Sequence, residues 1–170
     1  TLAIGSLVYA ASLWGLVWYP YRLLSEAGVG GIASSFFTYA VPLLALGWLH
    51  GRDLHRARGK WAWLAALGLA AGWTNLAYVL AVLEGEVVRV LLLFYLSPLW
   101  TVLFARFLLH EKLNRAGWAV MALAAGGALA MLWQPGDWPL PANRAEWLAL
   151  SAGVMFAASN VISRHLDGVA

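Results

Sequence analysis

The feature that most constrains this chain is an apolar stretch from Val87 to Leu109, whose charged residues are Arg89 and Arg106. At about 1.5 Å per residue, a helix of this length crosses the roughly 30 Å hydrocarbon layer of a membrane. Hydrophobic residues make up 62% of the chain and charged residues 11%. Soluble domains have about 45–50% and about 25% respectively. The sequence therefore predicts an integral membrane protein whose main partner is the lipid bilayer.

Similar apolar stretches occur on both sides of this one. We expect an all-α, polytopic transmembrane helix bundle with six spans, at about 2–24, 31–49, 61–83, 87–109, 116–133 and 146–162. Asn114 is a predicted N-cap, and Asn143 with Glu146 three residues later is typical of a capping box. Arg164 is expected to lie just beyond the last helix. Small residues spaced four apart, Gly68 with Gly72 and Ala122 with Gly126, predict close helix packing.

Pro98 interrupts the middle of the fourth predicted span. Proline has no N–H to donate and its ring crowds the preceding turn, so we expect a kink that releases the carbonyl of Phe94 from helical hydrogen bonding. At membrane depth, such backbone is tolerated against protein or a water-lined cavity. The fourth span is therefore expected to face something polar.

Basic residues divide unequally between the two ends of the predicted spans. One side has eight, namely Arg52, Arg56, Arg58, Lys60, Arg106, Lys112, Arg115 and Arg164; the other has three, Arg22, Arg89 and Arg144. The positive-inside rule then predicts a cytoplasmic N-terminus and an external loop between the fifth and sixth spans. A net charge of +3 is explained by these cytoplasmic loops, so nucleic-acid binding is not expected.

A resemblance to a known family begins in the fourth span. LLLFYLSPLWTVLFARFLLHEKL and the following NRAGWAVMALAAGGALAML resemble the fourth and fifth helices of the drug/metabolite transporter superfamily, in its EamA-type branch. The residues that carry it are Tyr95-Leu96-Ser97-Pro98 and Glu111, whereas His110 stands where glycine is common. The resemblance implies a transporter of two five-helix halves, ten helices in total, with a central cavity.

The resemblance also implies a division of this chain. Residues 1–133 form the first EamA-type five-helix repeat, 134–145 an external Pro-rich loop, and 146–170 the truncated first helix of the second repeat. Residues 10–24 align weakly with 152–166 at a constant offset of 142. Five spans separate the two starts, so the repeats are expected to be inverted, as in many secondary transporters. The missing C-terminal half would follow Ala170, or a second copy would supply it in a homodimer, which the charge bias disfavours.

Motifs of the common enzymes and of metal sites are missing from the sequence, which has no HExxH, GxxxxGK[ST], GxSxG or GxGxxG pattern. His50, His55, His110 and His165 lie at predicted cytoplasmic helix ends with spacings that match no common metal template. We therefore expect neither an enzyme, nor a cofactor, nor a metal site.

Residues that could bind a substrate lie within the predicted spans. Arg89 either faces the interior and marks a solute path, or snorkels to the surface and pairs with Glu86. Aromatic and polar residues at mid-depth either pack the bundle or line a cavity. The predicted substrate-binding residues are Trp14, Trp73, Asn75, Tyr78, Arg89, Tyr95 and Ser97.

The expected function is secondary transport in the inner (plasma) membrane. The resemblance implies a small organic metabolite, such as an amino acid or related solute, moved by alternating access and exported. Glu84 and Glu86 lie in a predicted turn and Glu111 at a helix end, so carboxylates that could relay protons at membrane depth are not expected. The alternative is a membrane anchor or assembly module without transport, which would be dry at Asn75 and Ser97.

Overall fold

The structure, a computed structural model, describes residues 2–50, 59–133 and 140–168. Over these ranges the chain is all-α, as predicted, with no strand. The described residues form eight helices: α1 Leu2–Leu16, α2 Trp18–Glu26, α3 Gly31–His50, α4 Trp61–Glu84, α5 Val87–Phe94, α6 Ser97–Leu108, α7 Arg115–Leu132 and α8 Arg144–Gly168. Two predicted features lie partly outside the described residues: the basic loop with Arg52, Arg56 and Arg58, and the Pro-rich loop before residue 140.

Within the part of the chain that the structure describes, five helical stretches are long and apolar enough to cross a membrane: Gly31–Leu49, Trp61–Glu84, Val87–Leu108, Arg115–Leu132 and Arg144–Leu166. The first predicted span is instead formed by two helices, α1 of 15 residues and α2 of 9 residues, which meet at Val17. Pro20 has no N–H for the Leu16 carbonyl, which explains a break one turn before it. Because α1 alone is only about 22 Å long, crossing would take α1 and α2 together.

The break predicted at Pro98 is confirmed. The span Val87–Leu108 consists of α5 and α6, which are separated by Tyr95 and Leu96. The Phe94 carbonyl, to which Pro98 cannot donate, lies against α8: a Cβ added to Gly153 would be 2.9 Å from this oxygen. The interrupted backbone is therefore covered by a neighbouring helix that approaches closely because it has no side chain there.

The core forms where α8 packs against α4, with smaller contacts to α6 and α5. Small buried residues, Ala77 and Ala81 of α4 and Ala149 and Ala152 of α8, allow this approach. The spacing of Gly68 and Gly72 predicted that another helix packs closely on α4 at these two glycines. Among the described residues this prediction is wrong. A Cβ at Gly68, Gly72 or Gly126 would meet nothing within 4 Å.

Both predicted caps are confirmed. The Asn114 side chain accepts a 2.8 Å hydrogen bond from the Gly117 N–H at the start of α7. Asn143 Oδ1 accepts from the Glu146 N–H at 3.0 Å before α8.

The predicted end of the last helix is wrong, because α8 continues past Arg164 to Gly168. There Arg164 donates to Glu111 Oε1 at 2.6 Å, which fixes the far end of α8 to the segment after α6.

α8 differs from the helices with which its sequence aligns. At an offset of 142, Val17 corresponds to Ser159 and Pro20 to Ile162. α8 has no proline at that point and continues as one helix of 25 residues. The inverted repeat stays a prediction. The two aligned segments differ in structure because the first contains proline and is broken, whereas the second has none and is continuous.

Candidate functional site

The predicted site residue Arg89 forms a buried ion pair with Glu146. Arg89 Nε donates to Oε1 at 2.9 Å and its Nη2 donates to Oε2 at 3.1 Å. The two side chains are only 11% and 7% exposed. A guanidinium that meets both carboxylate oxygens in this way is held in one orientation. The pair therefore joins the first turn of α5 to the first turn of α8.

The Glu146 carboxylate is also bound by its own helix start. It accepts from the Ala142 N–H at 3.0 Å and from Asn143 Nδ2 at 3.0 Å. Its negative charge lies at the N-terminus of α8, where the helix dipole favours it. The sequence suggested Glu86 as a partner of Arg89, whereas the buried ion pair in the structure is formed with Glu146. Glu146 is within reach because α8 packs directly on α5.

A second ion pair lies at the same end of the bundle. Arg144 Nη1 is 3.5 Å from Glu84 Oε1, and the side chains are 75% and 35% exposed. It links the start of α8 to the end of α4. Beside it, a Cβ at Gly85 would be 2.7 Å from the Ala145 Cβ, so the turn between α4 and α5 lies directly on α8. This end of the bundle is closely packed.

The remaining predicted site residues have different surroundings. Tyr78 is 1% exposed and packs edge-to-face on Phe94, with ring centroids 5.1 Å apart. Ser97 is buried at the start of α6, and Tyr95 is exposed beside it in the helix break. Trp73 is half-exposed and its Nε1 donates to Ser151 Oγ on α8 at 3.2 Å. These side chains do not converge on one cavity. The structure does not describe the side chain of Trp14, another of the seven predicted site residues.

Asn75 lines a cavity of about 550 Å³ between α3 and α4. The cavity walls are mostly apolar and include Ile32, Phe36, Leu43 and Leu44. Ser35 and Tyr39 are the other polar residues of the cavity. Asn75 is 4% exposed and Ser35 6% exposed. A largely apolar pocket with a few polar groups is typical of a small-molecule site.

Polar atoms in and beside this cavity lack partners among the described residues. They are Asn75 Oδ1, Ser35 Oγ and the hydroxyl of Tyr21 on α2. Tyr39 lies close enough to Asn75 and to Tyr21 to interact with both. Ser35 and Tyr21 were not among the predicted site residues. The signal that could have found Ser35 is its spacing from Tyr39, because residues four apart lie on one face of a helix.

The ends of α6 and α8 hold two of the four histidines. His165 packs on Trp63, with ring centroids 4.6 Å apart. His110 has φ of +54°, in the left-handed region that favours glycine. This is the position at which the resembling family commonly has glycine. In the described ranges, no three His, Cys, Asp or Glu side chains group as metal ligands.

Comparison with known proteins gives a family match over residues 1–133, to the EamA-like transporter family. An uncharacterised transporter of Pseudomonas aeruginosa is 28% identical over 158 residues, which cover 89% of this chain and 51% of that protein. Protein RarD of Streptomyces exfoliatus is 28% identical, with 93% and 50% covered. A riboflavin transporter of Rhizobium johnstonii is 29% identical, with 72% and 35% covered. No solved structure matches.

Proposed function

Because the chain belongs to the EamA-like transporter family, we propose that it forms one half of a secondary transporter for small organic solutes. The observation that carries the proposal is the family match over residues 1–133, together with relatives that are named as transporters. The chain spans about half the length of the curated relatives it matches. A solute path between two halves then requires a second half, from the same protein or from a second copy in a homodimer.

The proposed solutes are amino acids or related metabolites, exported by alternating access across the inner (plasma) membrane. We propose that the N-terminus of the protein is cytoplasmic, since eight of the eleven basic residues fall on the same side of the predicted spans as the N-terminus. Residues 1–133 would be the first repeat and α8 the first helix of the second. Family membership supports transport over the alternative of a membrane anchor without transport.

Helix interruptions at membrane depth support a transport role. Discontinuous helices are a common feature of transporter binding sites, because their broken backbone exposes polar groups inside the membrane. The breaks at Val17 and at Tyr95–Leu96 divide the first and the fourth predicted spans. Both follow from proline one turn or less further along the chain, Pro20 and Pro98. We propose that these interruptions let the helices bend as the path opens to alternate sides.

The test is counterflow in lipid vesicles that contain the full-length protein. Vesicles are loaded with unlabelled amino acids or amides, and uptake of the same labelled solute is measured against protein-free vesicles. Accumulation above that background is expected for at least one solute of the class. No accumulation for any of them, with folded protein in the vesicles, would argue for the membrane anchor.

The predicted substrate-binding residues are tested in the same assay. We propose Asn75, Trp73, Tyr95, Ser97, Tyr78, Trp14 and Arg89 as the set to vary. Changes of Arg89→Ala and Trp14→Ala are expected to reduce the rate of counterflow. Arg144→Ala is the matched control for Arg89, because it removes the exposed cation at the same end of α8. Full rates for both Arg89→Ala and Trp14→Ala would contradict the assignment of these two residues.

A further inference from the structure

An apolar groove of about 390 Å³ lies between α6 and α7, and all of its lining residues are Leu, Ala, Met or Trp. Its walls extend from Leu96 to Leu103 along α6 and from Trp118 to Ala125 along α7. The chain turns from α6 into α7 between residues 109 and 114. Leu103 and Trp118 therefore lie at the end of the groove that is nearest to this turn.

Each wall of the groove continues into an arginine. On α6, Arg106 follows Leu103 by three residues, and on α7, Arg115 precedes Trp118 by three. Residues three apart lie on the same face of a helix, so both arginines are placed at the turn end of the groove. Both side chains are exposed. Helix stability does not explain Arg115, because this residue begins α7, where the helix dipole disfavours a cation.

The turn between the two helices adds a further positive charge. A hollow of about 300 Å³ in this turn is lined by Arg106, Phe107, His110, Glu111 and Lys112. The carboxylate of Glu111 already accepts a hydrogen bond from Arg164 at 2.6 Å. Among the described residues, Arg106, Lys112 and Arg115 have no carboxylate partner. The apolar groove thus ends at three cations whose charge the described carboxylates do not balance.

We propose that this groove binds an anionic glycerophospholipid, with one acyl chain between α6 and α7 and the phosphate against Arg106, Lys112 and Arg115. Arginine binds phosphate through paired N–H groups, and clustered cations at a membrane surface attract anionic lipids. The groove matches the acyl chain and the cations match the headgroup. A soluble phosphate would leave the groove empty, and a packed protein helix would leave the cations unbalanced. This site is additional to the solute path and does not rest on the proposed transport function.

The experiment measures which lipid lies beside the groove, in vesicles that contain the full-length protein. The 170 residues have no cysteine, so one introduced thiol can carry a bimane fluorophore once any cysteine elsewhere in the full-length chain is replaced by serine. Gly126→Cys places the label one turn beyond Ala122, on the groove side of α7. Gly127→Cys is the matched control, because it is the next residue and shares a face with the exposed Val120 and Leu123. A Cβ at either glycine meets nothing within 4 Å.

Lipids with brominated acyl chains quench bimane on contact. Quenching by brominated phosphatidylglycerol and by brominated phosphatidylcholine is compared at each position, and their ratio gives the preference for the anionic headgroup. Each cation beside an anionic headgroup is worth about fivefold in affinity. The preference at Gly126→Cys is therefore expected to exceed that at Gly127→Cys by at least about fivefold. Basic residues elsewhere at this end enrich anionic lipid at both positions, so the comparison removes their effect.

The headgroup contacts are tested by combining Arg106→Gln with Arg115→Gln, which should remove the excess preference at Gly126→Cys. Arg144→Gln is the control, since it removes an exposed arginine at the opposite end of the bundle. In detergent, added phosphatidylglycerol should raise the unfolding temperature of the unlabelled protein, because a ligand that binds the folded state stabilises it. The double variant should lose this increase and unfold at an unchanged temperature without lipid.

Each contrary outcome overturns a stated part of the proposal. Absence of quenching at Gly126→Cys by either lipid would mean that protein, from a second half or a second copy, covers the groove. Equal preference at the two positions would mean ordinary surrounding lipid. A preference that persists in the double variant, or a lower unfolding temperature of that variant without lipid, would refute the role of the two arginines. Loss of the preference in millimolar glycerol 3-phosphate would mean that a soluble phosphate binds instead. None of these measurements needs transport.

Discussion

Replacing Arg89 by methionine should destabilise the protein strongly. Methionine keeps an unbranched apolar side chain but removes the guanidinium. The Glu146 carboxylate, whose side chain is 7% exposed, then keeps the Ala142 N–H and Asn143 Nδ2 as its donors among the described residues. Removing one partner of a buried ion pair costs about 3–5 kcal/mol, because the other charge stays buried. We expect a loss of this size in the free energy of unfolding, with α8 separating from α5 first.

The assay is equilibrium unfolding in detergent micelles, followed by the loss of helical circular dichroism. Arg144→Met is the control: its pair with Glu84 is 3.5 Å long and largely exposed, so about 0–1 kcal/mol is expected. Adding Glu146→Gln to Arg89→Met should recover part of the loss, because it removes the stranded charge and leaves the amide to cap α8. If Arg89→Met were no more destabilising than Arg144→Met, the buried pair would not hold α5 to α8 as described.

The other predictions concern backbone contacts and use the same unfolding measurement. Gly153→Ala places a Cβ 2.9 Å from the Phe94 carbonyl and should cost about 1–3 kcal/mol, whereas Gly126→Ala meets nothing and should be neutral or stabilising by up to about 1 kcal/mol. Equal effects would mean that α8 does not approach the α5–α6 break. His110→Gly should stabilise by up to about 1 kcal/mol, because it relieves a left-handed backbone; a loss would contradict that conformation. Asn114→Ala should cost about 0.5–2 kcal/mol through the lost cap of α7, and no change would mean that the cap is not formed.

Sequence patterns were sufficient where the physical cause is local. The Pro98 break follows from a missing N–H, and the two caps follow from short polar side chains that precede apolar runs. The first apolar stretch was treated as one span, although Pro20 lacks an N–H in the same way. The rule is not sufficient by itself, because α3 continues through Pro42. The candidate site was only partly predictable: Asn75 was predicted as a polar residue at mid-depth, whereas Ser35 and Tyr39, which line the same cavity, were not among the predicted substrate-binding residues.

The sequence by itself determined that this chain lies in a membrane, that it is helical, and where most helices begin and break. Hydrophobic length, proline and capping residues act within a few residues of one another. Only the tertiary structure decided that Arg89 pairs with Glu146, 57 residues away, and that alanines rather than Gly68 and Gly72 make the tight contact of α4. Apolar helices in lipid have little hydrophobic preference among their faces, so close fit and buried charge select the neighbour. That selection depends on all the packed helices at once.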